Sequence, residues 1–158
     1  MNWHAVESSV TALAAKVRAR FEAHGLALVA TLKADGAPRI SGIKTLFGEG
    51  ELWLGMMPGS LKARDLLRDP RLALHSATTD KDVAAGDAKL SGLAVLVEDE
   101  ETFARYRRAS GPGDGHAFGG FHLFRVEVKE MSYLVPAADH LDIEWWNERG
   151  GYRRTDRY

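Results

Sequence analysis

The sequence predicts a mainly β (α+β) chain, a six-stranded antiparallel β-barrel with a few flanking helices. Three observations carry this expectation. Six apolar or alternating runs of strand length are separated by short turn segments, Asp35-Gly36 and Gly48-Glu49-Gly50 among them. Few helical runs lie between them, whereas a parallel sheet needs a crossover helix between successive strands. The 158 residues, 45% hydrophobic and 27% charged, suit one domain with a real core, residues 136–158 forming a C-terminal tail.

The chain opens with a helix. Val6, Val10, Leu13, Ala14, Val17 and Phe21 recur at helical spacing between charged residues, and Gly25 ends the run. Residues 26–33 form an apolar strand, 38–47 return from the Asp35-Gly36 turn, and 51–57 complete a meander. After a helix over 60–69, strands follow at 71–78 and 88–98, the latter with a bulge at Gly92. Residues 99–109 read as a short helix with Phe103 and Tyr106. The glycine-rich stretch 110–120 reads as a loop, and 122–135 as a sixth strand. Trp145 and Trp146 are adjacent, so in an extended tail they face opposite ways.

Composition excludes several functions. The net charge of −1 offers no global attraction for nucleic acid or anionic membranes. Without cysteine there are no disulfides, thiolate metal sites or cysteine nucleophiles. The six histidines are scattered, and Asp80, Asp82 and Asp87 miss the calcium-loop spacing, so no metal is expected. No Gly-x-Ser-x-Gly elbow is present. No run is long enough to span a bilayer, and residues 1–7 lack the basic-then-apolar order of a signal peptide. Cytoplasmic residence is the expectation.

The segment Pro58 to Pro70 carries the most information. Ser60 is a helix N-cap residue and Pro70 stops the helix, yet Lys62 and Arg64 occupy the first turn. There the helix dipole disfavours each cation by roughly 0.3–1 kcal/mol. The capping-box position holds Ala63, so no carboxylate compensates. A serine cap, free N–H groups and two cations form a socket for an anion, most naturally a phosphate. The same residues also read as an ordinary capped helix with solvated basic side chains. On the second strand, alternation puts Arg39 and Ser41 on one face and Lys44 on the other. These residues wall the socket, or else serve as sheet-edge charges.

The Asp-Gly-Ala-Pro-Arg-Ile-Ser turn and strand and the run Gly59 to Arg71 resemble the pyridoxamine 5′-phosphate oxidase-like family of FMN- and deazaflavin-binding split β-barrels, over roughly residues 10–135. The resemblance implies a split barrel with Greek-key character. It also implies a flavin- or deazaflavin-dependent oxidoreductase passing a hydride to or from a small organic molecule, or a non-catalytic flavin- or haem-binding protein of the same fold. It gives Ser60, Leu61 and Lys62 to the cofactor phosphate and Arg39, Ser41, Lys44 and Thr45 to the ring-bearing strand. Met56 stands where many members have threonine. The cofactor implied is FMN or, alternatively, coenzyme F-420, held between the subunits of a homodimer, with Lys89 reaching the partner's cofactor. The chain is short for a pyridoxamine phosphate oxidase. Arg149, Arg153, Arg154 and Arg157 do not match that enzyme's C-terminal arginine pattern, so vitamin B6 oxidation is not expected.

Overall fold

The computed structural model describes residues 1–112 and 117–158. Its organising feature is the stretch over 38–47, expected as one strand and found as two, the second running on to Gly48. Strand β1 (Leu26–Leu32) pairs with β2 (Pro38–Lys44), Leu26 opposite Lys44. Beyond Thr45 the chain turns to a different neighbour. Strand β3 (Leu46–Gly48) pairs with β4 (Glu51–Met56), Leu46 opposite Trp53. One stretch of chain thus links the two ends of the sheet without a continuous ladder between them. The barrel is split at Thr45 rather than closed.

Among the described residues the antiparallel sheet has nine strands instead of six. Its order is β2-β1-β5-β6-β7-β4-β3, with β5 (Arg71–Ser76), β6 (Asp87–Leu96) and β7 (His122–Pro136) forming the centre. The expected bulge is present, since the β6–β7 register shifts between Ser91 and Gly92. A Cβ at Gly92 would lie 2.1 Å from the Glu127 carbonyl oxygen, so only glycine allows that approach. The remaining strands come from the tail. Strands β8 (Leu141–Asn147) and β9 (Gly151–Arg157) form a hairpin on β7. Trp146 is buried, while Trp145 on the other face lies under the Arg153 guanidinium at 5.4 Å. The buried Glu144 pins this hairpin to the N-terminal helices. It accepts from Lys16 and, at 3.0 Å, from the Tyr152 hydroxyl. That bond to Glu144 raises the Lys16 ammonium above its ordinary pKa.

The N-terminal helix is two helices, α1 (Trp3–Ser9) and α2 (Thr11–Glu22), broken at Val10. The predicted stripe of Leu13, Ala14, Val17 and Phe21 is fully buried. Trp3 packs edge-on to Phe47 at 4.7 Å, a pair worth about 0.5–1.5 kcal/mol beyond its burial. Helix α4 (Glu100–Ser110) is capped by Asp99, whose carboxylate accepts from Thr102 N–H at 2.8 Å. The loop expected over 110–120 lies in part, residues 113–116, outside the described residues. Among the described residues no helix is long and apolar enough to cross a membrane.

Helix α3 (Leu61–Arg68) is the crossover that positions the site. It leaves β4, which lies beside β7, and delivers the chain to β5, between β1 and β6. To make that passage it runs across the end of the barrel. Its body packs on β1, and its first turn reaches β2.

Candidate functional site

The first turn of α3 does not behave as an ordinary capped helix. Ser60 has the extended backbone of an N-cap, φ −59° and ψ 146°, and its carbonyl accepts from Arg64 N–H at 3.0 Å. Its hydroxyl, expected to accept from a backbone N–H of the first turn, makes no cap bond. The oxygen is buried without any partner. Thr45 Oγ1, at the split of the barrel, is also buried without a partner. A buried polar group left unsatisfied costs about 1–3 kcal/mol, so each calls for an explanation.

Cations flank these hydroxyls in sequence, Lys62 and Arg64 after Ser60 and Lys44 before Thr45. Lys62 Nζ donates to the Gly42 carbonyl at 3.1 Å and holds the first turn against β2. Among the described residues Lys44, Lys62 and Arg64 have no carboxylate partner, although most arginines of this chain do. Lys44 and Thr45 line a cavity of about 430 Å³ with Met56, Tyr106, Ser110 and Phe121. Unpartnered hydroxyls, first-turn N–H groups and cations without carboxylate partners are the kinds of group that suit an anion with several acceptor oxygens.

The other predicted residues fall in different places. Arg39 and Ser41 share a face of β2 opposite Lys44, as alternation requires. The Arg39 guanidinium is held at 2.7 Å by Asp65, which is buried on α3. Asp65 also accepts from Thr31 at 2.8 Å and from Arg68 at 3.3 Å. Burial pushes the Asp65 carboxyl up, but the donors Arg39, Thr31 and Arg68 outweigh it and the net shift is downward. Asp65 escaped sequence reasoning. A cation within strand two signalled that a carboxylate partner was needed, but not that it lay 26 residues away. Met56 is buried against the cavity, whereas Leu61 is exposed.

Lys89 belongs to another surface. It projects from the outer face of the sheet into a concavity of about 500 Å³ lined by Leu28, Ala30, Ile40, His75 and Ser132. Ile40 is 71% exposed and Leu28 48%, an unusual load of solvent-facing apolar area on neighbouring strands. His75 lies at the edge of this concavity, its Nε2 3.0 Å from Asp87. Among the described residues no group of three or more His, Asp or Glu side chains could hold a metal.

The fold agrees with the comparisons to known proteins. The family model described as pyridoxamine 5′-phosphate oxidase matches residues 13–135. The chain belongs to this family. The match stops before the β8–β9 hairpin. Solved structures of the same fold include a pyridoxamine 5′-phosphate oxidase-related, FMN-binding protein from Nostoc punctiforme (12% identity, TM-score 0.64, covering 94% of this chain and 96% of that one). PhzG from Burkholderia lata, in complex with tetrahydrophenazine-1-carboxylic acid, is another (16%, TM-score 0.62, 98% and 87%). A haem-binding protein from Mycobacterium smegmatis is similar over 90% of this chain at 20% identity and TM-score 0.56, although this chain spans only 57% of its length. No curated protein sequence matches.

Proposed function

We propose that this protein binds FMN at the start of helix α3 and acts as a flavin-dependent oxidoreductase on a small organic molecule. The observation that carries the reading is the pair of buried, unpartnered hydroxyls, Ser60 Oγ and Thr45 Oγ1, whose neighbours in sequence include Lys44, Lys62 and Arg64, cations without a carboxylate partner among the described residues. A phosphate supplies acceptor oxygens for Ser60, for the N–H groups of the first turn and for Lys62 and Lys44. The α3 dipole then favours the charge it meets. The phosphate also explains why the chain tolerates cations in a first turn without acids.

Bound FMN supplies a two-electron carrier that exchanges a hydride with an organic substrate. The chain's own residues bind, orient and shelter it. Lys62 gives the phosphate its counter-charge, while Ser41, Lys44 and Thr45 place β2 and the split along the ring. Met56 and the aromatic wall at Phe121 keep water out of the cavity. Arg39 acts through Asp65, fixing α3 to the strand, rather than on the phosphate. The exposed apolar face around Ile40 and Leu28 pairs with a second copy of the chain, and Lys89 of the partner subunit reaches the cofactor from across the dyad.

Mass spectrometry of the molecule retained by the native protein tests this reading, together with its absorption spectrum. The expected result is the mass of FMN and a flavin spectrum that bleaches with a nicotinamide donor. Coenzyme F-420 would keep the oxidoreductase assignment and change the carrier. A Soret band would replace it with the haem-binding reading, which the fold shared with the mycobacterial protein supports. A protein that neither retains nor takes up any of these molecules overturns the proposal.

A further inference from the structure

Beyond the Phe121 wall of the proposed cofactor cavity lies a second, smaller one that the cofactor does not need. It has a volume of about 260 Å³ and is lined by Leu96, Val97, Phe103, Phe118, Phe121 and His122, with Pro58 and Phe121 common to both cavities. Its rings are arranged edge to face. Phe103 meets Phe118 at 5.3 Å and Phe121 at 5.8 Å, with interplanar angles of 69° and 62°. Phe121 can form the partition because β4 carries no side chain at Gly55, where a Cβ would come within 3.0 Å of the Phe121 ring.

The chemistry of the lining selects the occupant. An apolar cavity of about 150 Å³ stays dry and accepts benzene, so this larger one has room for one or two fused rings. Edge-to-face aromatic walls favour a planar π-system over an aliphatic or sugar-like ligand. Among the described residues no lysine or arginine lines the cavity, so a phosphate or carboxylate inside it would be buried without a counter-charge. The one polar side chain is His122, which makes no hydrogen bond or ion pair among the described residues and is free to bond a single hydroxyl or carbonyl substituent.

We infer that this cavity is a substrate-anchoring subsite, taking an uncharged planar one- or two-ring aromatic group with one polar substituent, while the reacting part of the substrate lies on the cofactor side of Phe121. The inference rests on the cofactor reading for its role as substrate site, but the binding itself does not. It separates this chain's substrate class from phosphorylated pyridines, which need a cation at the acceptor site.

The test uses the purified protein with its native cofactor, titrated with 2-naphthol and, separately, with 2-naphthyl phosphate. The neutral ring is expected to bind at least tenfold more tightly than its phosphate ester. Val97→Phe fills the cavity and should weaken 2-naphthol binding at least tenfold while cofactor content, read from the absorption spectrum, stays unchanged. If circular dichroism shows that Val97→Phe does not fold, Phe118→Ala, which removes an outer wall, should weaken binding several-fold. Three results overturn the inference: no binding of 2-naphthol, equal or tighter binding of the phosphate ester, or binding that neither variant weakens. Loss of the cofactor reading shows separately, as a protein that binds 2-naphthol through Val97 and Phe118 but takes up no flavin.

Discussion

Helix α3 carries two buried polar groups with opposite fates. Asp65 is satisfied on every side, by Thr31, Arg39 and Arg68. Ser60, at the helix start, is buried with nothing to bond. Asp65 lies within the eight-residue helix and Ser60 is its N-cap residue, half-buried but with its hydroxyl oxygen buried. The difference is that one completes its bonds within the chain and the other does not. A closed network is how the fold holds its crossover helix in place. The proposed function takes the open one as a site that a ligand completes.

The largest effect is expected where the network is closed. Asp65→Ala removes the carboxylate and leaves Arg39 partly buried without its partner, a kind of change that costs about 3–5 kcal/mol. A thermal melt reads it directly. A loss below about 1 kcal/mol would mean the network is not what anchors α3. The same group sets a pH dependence. Its pKa is lowered on folding, so its contribution is fully present above the unfolded value of about 4 and is lost as pH falls through the folded one. The melting temperature should therefore drop on acidification below about pH 4, and drop less steeply in Asp65→Asn.

The open site should respond the other way, in binding rather than in stability. Lys62→Ala is expected to weaken FMN by about 1.5–3 kcal/mol, or roughly 10- to 150-fold, because a charge-assisted bond to phosphate is lost. Its bond to the Gly42 carbonyl is lost as well, but so is the dipole repulsion, leaving apo stability within about 1 kcal/mol. Flavin titration against a melt of the stripped protein separates the two. Unchanged FMN affinity would falsify the phosphate assignment.

This contrast explains what could be read from the sequence. The strands were legible because period-two alternation and Asp35-Gly36-type turns are local signals. The split at Thr45 was not, because the strand-like stretch over 38–47 passes through it without a turn residue and only the change of pairing partner reveals it. The tail hairpin escaped because β9, Gly-Tyr-Arg-Arg-Thr-Asp-Arg, pairs along one edge and exposes most of its side chains, so burial imposes no alternation on it. At the site, the charge anomaly at Lys62 was visible because it breaks a rule within one turn of helix. The Arg39–Asp65 pair and the aromatic cavity were not, since their members meet only in three dimensions.

Ser60→Ala sharpens the comparison further. At an ordinary N-cap this change costs about 1 kcal/mol of stability. Here the hydroxyl caps nothing and is buried unpartnered, so the apo protein should keep its melting temperature or gain slightly. FMN affinity should fall by about 0.5–1.5 kcal/mol, the value of one hydrogen bond. A stability loss of the ordinary size would show that the hydroxyl caps the helix in solution, and would remove the main support for the open site.

The smallest effect is expected at Arg64, the other cation of the first turn. Its guanidinium is exposed, has no carboxylate partner among the described residues and lies beside Gly59 rather than over the cavity. Arg64→Ala should change stability by less than about 0.5 kcal/mol. Its contribution to FMN binding is long-range attraction through solvent, which is screened within about 10 Å at 0.1 M salt. Any loss of affinity should therefore appear at low ionic strength and vanish as salt is added, while the loss in Lys62→Ala persists. If both variants lose affinity to the same degree at high salt, Arg64 touches the phosphate directly, and the seat at the start of α3 is built from two cations rather than one.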